Sequence, residues 1–256
     1  MPIAITRSIS QNFNSCELTH LPRVKIDIDL AREQHRQYQT ALRSIGCTVI
    51  ELPEEPDLPD SVFVEDTAVI FPELAVIARP GAVSRLQEIK TVVPILKQYR
   101  RLEFICDPGS LDGGDVLVLD KNIFIGLSNR TNPAAIKQME SLLTPYGYSV
   151  EGFELKDCLH LKSAVTQITK NTLLINPDWV DPSKFIGWEQ IEVDVEEPFG
   201  ANALRVGEAV IYPSSFTRTQ QRIQRVGTRV ISVNLSELAK AEGAVTCCCL
   251  LIPDAD

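Results

Sequence analysis

A chain of 256 residues, 44% apolar and 23% charged, has the composition of an ordinary globular protein and enough length to bury a core. Its net charge of −9 argues against nucleic acid or an anionic membrane surface as partner, and no apolar run approaches the ~18 residues of a membrane span. The start Met1-Pro-Ile-Ala-Ile-Thr-Arg7 lacks a signal-peptide core, and seven irregularly spaced cysteines suggest neither a disulfide framework nor a structural zinc site, so a reducing cytoplasm is expected.

In chain order, Ile3-Ala-Ile-Thr6 reads as a strand with no local partner. Residues 10–29 are polar without clear periodicity, and a loop of that length often serves as a lid. A helix is predicted over 30–45, with His35 on its charged, solvated face, followed by the strand Thr48-Val-Ile-Glu-Leu52. A repeating pattern then begins at Glu65-Asp66, where polar residues lead into an apolar run, a turn and a second apolar run. Ser84 is the expected N-cap of a helix carrying Leu86, Ile89, Val92, Val93 and Leu96, with Pro94 calling for a kink or a 3₁₀ start. Asp112-Gly-Gly-Asp115 opens the second unit, which turns at Asp120-Lys-Asn122 and continues into a helix capped by Asn132, with Pro133 at its first position. His160-Leu-Lys162 opens the third unit, with a turn at Lys170-Asn171 and a short helix around 182–188. Asn202 opens the fourth, with a helix over 216–226 and the strand Arg229-Val-Ile-Ser-Val233. Thr246-Cys247 opens the fifth.

From Asp66 the steps to Asp112, His160, Asn202 and Cys247 are 46, 48, 42 and 45 residues. Each unit reads strand, strand, helix, strand, and the last can be completed only by the amino-terminal strand, which closes a ring. The wrap through the termini is longer, at 75 residues, and its excess falls in the loop 10–29. The fold class is therefore α/β, a pseudo-symmetric five-bladed β/α-propeller spanning residues 1–256 as one domain. Its polar unit starts Asp66, Asp112, His160, Asn202 and Cys247 are expected to face one central pocket.

Cys247, Cys248 and Cys249 are adjacent, so they cannot readily pair with each other, and they serve as apolar packing, metal ligands or a reactive thiol. A thiol near a histidine suits nucleophilic catalysis, because the thiolate is the reactive species. Neighbouring acids discourage thiolate formation unless the substrate brings positive charge, as a guanidinium does. Singly, each residue has a plainer reading: Cys247 as packing, Gly113-Gly114 as a turn, Arg79 and Arg85 as a solvated corner, Asp60 as a turn acid.

The set Pro59-Asp-Ser-Val-Phe-Val-Glu-Asp66, Arg79-Pro-Gly-Ala-Val-Ser-Arg85, Leu111-Asp-Gly-Gly-Asp115, Arg130-Thr-Asn132, Leu159-His-Leu-Lys162 and Gly243-Ala-Val-Thr-Cys247 covers essentially the whole chain. In this order it resembles the guanidine-modifying, or pentein, superfamily, and within it most closely the dimethylarginine dimethylaminohydrolase family. The resemblance implies hydrolysis of N-omega-methylated arginines to citrulline and dimethylamine or methylamine, through a covalent thiouronium and with neither metal nor organic cofactor. It implies Cys247 as nucleophile, His160 as general acid and then base, and Asp112 as the acid orienting His160. Asp66 with Glu65 would grip the guanidinium, with Phe63 beside it. Arg85 and Arg130 would bind the substrate carboxylate, while Asp60 and the carbonyls of Leu18 and Ala241 would receive its ammonium. Cys248 and Cys249 would continue as strand residues alternating between faces, and Cys249 would either pack or assist zinc inhibition or oxidation of Cys247.

Two positions refine the resemblance. Lys162 stands where arginine deiminases carry an acid, which favours a methylated terminal nitrogen lacking donor hydrogens. Asp112 stands where some relatives carry the longer Glu. Arginine deiminase, another guanidino-compound hydrolase or an amidinotransferase is the alternative enzyme. A non-catalytic propeller resembling the ribosome-binding anti-association factor would not need Asp66, His160 and Cys247 together. The expected partner is a small molecule, with the protein a monomer or homodimer.

Overall fold

The computed structural model describes residues 1–253. The chain begins with strand β1 (Ile3–Arg7), helix α1 (Ile28–Ser44) and strand β2 (Thr48–Leu52). The first full blade holds β3 (Ala68–Ile70), β4 (Leu74–Ile77), α2 (Ile89–Leu96) and β5 (Arg101–Phe104). The second holds β6 (Val116–Leu119), β7 (Asn122–Leu127), α3 (Pro133–Leu143) and β8 (Ser149–Glu154). A short α4 (Leu161–Ala164) leads into β9 (Val165–Gln167), β10 (Thr172–Ile175) and β11 (Glu189–Glu192). The fourth blade holds β12 (Leu204–Val206), β13 (Ala209–Pro213), α5 (Thr217–Gln224) and β14 (Arg229–Val233), and a short α6 (Ser236–Ala239) precedes β15 (Leu250–Ile252).

These strands form five three-stranded sheets among the described residues, and every sheet repeats one topology. The first strand pairs antiparallel with the second and the second parallel with the third, the parallel step crossing over through a helix or 3₁₀ turn. The fifth sheet has the order β15-β1-β2, with Ile3 opposite Ile252 on one side and Thr48 on the other. The ring is thus closed by the amino-terminal strand, as its missing local partner required. In the middle strands β4, β10 and β13 every residue is buried, whereas third strands such as β2 and β14 are half exposed. Among the described residues, five apolar clusters fill the blades and their seams. Each Val, Leu or Ile so buried contributes roughly 1.5–3 kcal/mol before conformational entropy is deducted.

Several expectations need correction. His35 is buried, not solvated: the helical period places it on the stripe of Ala31, Tyr38 and Leu42, and its ring stacks on Tyr38 at 6.1 Å. Burial pushes its imidazole down to about 4. Ser84 caps no helix. It lies inside a 3₁₀ turn (Val83–Arg85), its hydroxyl donates to Glu17 Oε1 at 2.6 Å, and α2 begins only at Ile89. Asn132 does cap α3, accepting from Ala135 N at 3.0 Å. The segment around 182–188 is a 3₁₀ turn, Pro182–Phe185. Cys248 and Cys249 lie in the turn before β15 rather than in a strand, and both pack into the same apolar cluster instead of alternating between faces.

Candidate active site

Unit starts deliver the site residues on tight turns at the ends of the blades. Two consecutive 3₁₀ turns, Pro59–Val62 and Val64–Thr67, present Asp60, Phe63, Glu65 and Asp66, and a third, Gly113–Asp115, follows Asp112. His160 immediately precedes α4, and Cys247 lies in the turn before β15. The turns are stitched together across blades: Glu65 N donates to Cys247 O (3.1 Å), Gly114 N to Asp66 Oδ1 (2.9 Å), and Leu161 N to Asp115 Oδ1 (3.0 Å). A Cβ on Gly114 would meet His160 Nδ1 at 2.6 Å, so only glycine lets the ring approach. The Gly-Gly pair is therefore more than a turn.

His160 Nε2 lies 3.1 Å from Asp112 Oδ2, and Asp112 Oδ1 is in turn held by Gly81 N at 2.8 Å. Burial opposes charge on the ring, but the carboxylates of Asp66, Asp115 and Asp112 outweigh it and raise its pKa to about 9. Asp66 is buried as well, yet the charges of His160 and Arg85 hold it well below the usual carboxylate range. Burial raises the Cys247 thiol, and the charges of Glu65 and Asp66 raise it further. The site thus favours a cationic imidazole and a neutral thiol. It needs added positive charge near the sulfur before a thiolate forms.

A cavity of about 20 Å³ has Asp60, Phe63, Asp66, Arg85, Arg130, His160, Ala241 and Cys247 on its walls, joined by Glu17, Leu159, Glu242 and Gly243. Eight of the eleven residues that the resemblance assigns a catalytic or binding role therefore meet at one place. The other three do not line it. Asp112 is fully buried behind His160. Glu65 is engaged by Lys162 Nζ (2.7 Å) and Thr246 Oγ1 (2.8 Å). Leu18 sits half-buried in the adjoining loop. Asn202 joins Lys162 O and Thr246, and lines a separate cavity of about 310 Å³ beyond Leu159 and Gly243.

The two arginines are placed differently. Arg85 is spent on protein groups: Asp66 at 2.7 Å, Glu88 at 2.9 Å, and the carbonyls of Asp60 and Phe63. Among the described residues, Arg130 has a buried Nη1 with no partner, while its Nη2 reaches only Thr19 Oγ1 at 3.3 Å. A buried unpaired donor on a cavity wall calls for an incoming acceptor.

Sequence reasoning passed over Asp115, which is fully buried, fixes the peptide after His160 and accepts from Ser128 Oγ at 2.6 Å. The second acid of Asp112-Gly-Gly-Asp115 was its available signal. Asp66, Asp112 and His160 offer ligand atoms within 4.8 Å of one another, a set that could hold a metal ion. Those same groups are already joined to Arg85, Gly81 and each other.

Five three-stranded blades, each crossing over through a helix or 3₁₀ turn, around a thiol, an imidazole and carboxylates define a protein of the pentein class of guanidine-modifying enzymes. The model of the family described as N,N dimethylarginine dimethylhydrolase, eukaryotic, matches residues 14–252. The N(G),N(G)-dimethylarginine dimethylaminohydrolase of Pseudomonas aeruginosa is 36% identical over 225 residues, covering 87% of this chain and 89% of that protein. The protein of the same name from Streptomyces coelicolor is 35% identical over 247 residues, 95% of this chain and 94% of its own. The solved structure of the Pseudomonas enzyme, a cysteine-to-serine mutant complexed with citrulline, matches with a TM-score of 0.94 at 34% identity over 97% of this chain and 98% of that one. The chain belongs to the dimethylarginine dimethylaminohydrolase family.

Proposed function

We infer that this chain hydrolyses N-omega-methylated arginines, asymmetric dimethylarginine and monomethylarginine, to citrulline and dimethylamine or methylamine. The observation that carries this reading is the meeting of Cys247, His160, Asp66 and Arg130 on one cavity, with a thiol whose pKa is raised by burial and further by the charges of Glu65 and Asp66. A guanidinium entering between Asp66 and Cys247 supplies the missing positive charge, and the sulfur loses its proton to solvent. The thiolate then attacks the guanidinium carbon, forming a C–S bond. Imidazolium His160, kept charged by its acids and aligned by Asp112, gives its proton to the methylated nitrogen. The C–N bond breaks and the amine departs, leaving a thiouronium on Cys247.

In the second half, neutral His160 takes a proton from water as the water oxygen adds to the thiouronium carbon. The C–S bond breaks, the thiolate returns, and citrulline leaves after losing a proton. Asp60 and the carbonyls of Leu18 and Ala241 receive the substrate ammonium, and Arg130 its carboxylate. Lys162 supports a methylated substrate: its ammonium is drawn to Glu65 and offers a terminal guanidinium nitrogen no acceptor. The seven cysteines are all free, which supports work in a reducing cytoplasm.

The test is citrulline release from asymmetric dimethylarginine and from arginine, assayed side by side. At least tenfold higher kcat/KM for the methylated substrate is expected. Equal or better turnover of arginine would move the reading to arginine deiminase.

A further inference from the structure

The loop segment Glu17–Leu21 runs between two voids. Glu17 is on the wall of the 20 Å³ cavity, His20 and Leu21 are on the wall of the 310 Å³ cavity, and Glu242 is on both. The Glu242 carboxylate accepts backbone N–H bonds from three consecutive residues: Thr19 at 3.0 Å, His20 at 2.5 Å and Leu21 at 2.6 Å. The segment's other ties are Ser84 Oγ to the Glu17 side chain, Glu17 N to the Asp60 carboxylate (3.0 and 3.2 Å), and Thr19 Oγ1 to Arg130. The last two use the groups that the functional reading assigns to substrate ammonium and carboxylate. Bound substrate therefore competes with those ties, but not with Glu242.

We propose that Glu242 is a positioning residue, whose carboxylate clamps residues 19–21 and so holds the Leu18 carbonyl beside that of Ala241 to form the ammonium half of the substrate site. This rests on the functional reading above. The clamp also has to open in every cycle. A cavity of about 20 Å³ holds roughly one water, far less than a methylated arginine. Of the loop segment, Glu17 alone is on its wall, while His20 and Leu21 are on the wall of the larger void, so displacing the segment would widen the smaller one. Glu242 has φ +60, the left-handed region that favours glycine, as expected of a residue kept for its side chain.

Two variants test the proposal. Glu242→Gln keeps the shape but removes the charge that faces three donors, and Glu242→Gly removes the carboxylate while suiting the backbone. Hydrogen–deuterium exchange at the amides of Thr19, His20 and Leu21 is expected to quicken about tenfold or more in both, with the melting temperature of the Gly variant preserved. KM for asymmetric dimethylarginine is expected to rise severalfold without loss of kcat, because less of the protein holds the binding-competent loop. Unchanged exchange in both variants, or a fall in kcat at constant KM, overturns the clamp. If the wild-type protein releases no citrulline from methylated arginines, the functional reading fails instead, and the exchange comparison still decides the clamp.

Discussion

Of the three histidines in the chain, His160 and His35 are both buried, and their surroundings push them in opposite directions. His160 faces Asp66, Asp115 and Asp112, and its pKa rises to about 9, whereas burial in the stripe of α1 outweighs the charge of Glu51 and takes His35 down to about 4. NMR titration should resolve the two midpoints, and Asp115→Asn should move that of His160 downward. A His160 midpoint at or below the ordinary 6.5 would contradict the electrostatics of the site. The signs carry into stability. His160 binds its proton more tightly when folded, so its contribution is complete below pH 6.5 and is lost as pH rises through about 9. His35 resists protonation when folded, so stability is lost as pH falls from 6.5 through about 4.

At the scale of elements, the turns matter more than the strands they precede. Gly114→Ala would place a methyl 2.6 Å from His160 Nδ1 and 2.9 Å from Asp66 Oδ1. It is expected to lower kcat/KM by about 10²-fold, the penalty typical of a small misplacement of catalytic groups, and to lower the melting temperature as well, since buried groups must shift. Activity within twofold of wild type would show that the close approach is dispensable. The same turns mark the limit of what could be read in the sequence. Asn132 announced α3 because its side chain meets a local need, the free N–H groups of the first turn. Ser84 misled because its hydroxyl answers a distant residue, Glu17, and the chain stays 3₁₀ while Arg85 turns inward to Asp66. The family resemblance implied Cys248 and Cys249 as strand residues, yet the turn that holds Cys247 continues through Cys248 and the strand begins only at Leu250. His35 was hidden by charged neighbours in sequence, although its period with Ala31, Tyr38 and Leu42 was there to be counted.

Across the whole molecule, the long-range order followed from a repeat of about 45 residues and an orphan amino-terminal strand. Both are properties of sequence spacing, and the sheet order β15-β1-β2 obeys them. What spacing could not convey is which residues of the converging turns line the cavity and which stand behind it, as Asp112 and Glu65 do. Ring closure also has an energetic consequence. Ile5, fully buried in β1, joins the two ends of the chain, whereas Ile186 is 82% exposed. Ile5→Ala is expected to cost roughly 2–5 kcal/mol in denaturant unfolding and Ile186→Ala less than about 0.5. Equal effects would mean the closing strand contributes nothing special.

In the proposed reaction, sulfur from the last blade attacks a carbon held by acids from the first, with an imidazole from the third supplying the proton. Mass spectrometry of protein quenched during turnover of asymmetric dimethylarginine tests it most directly. An adduct on the peptide containing Cys247, lost together with citrulline release in Cys247→Ser, is the expected result. Citrulline release that persists in Cys247→Ser would contradict it.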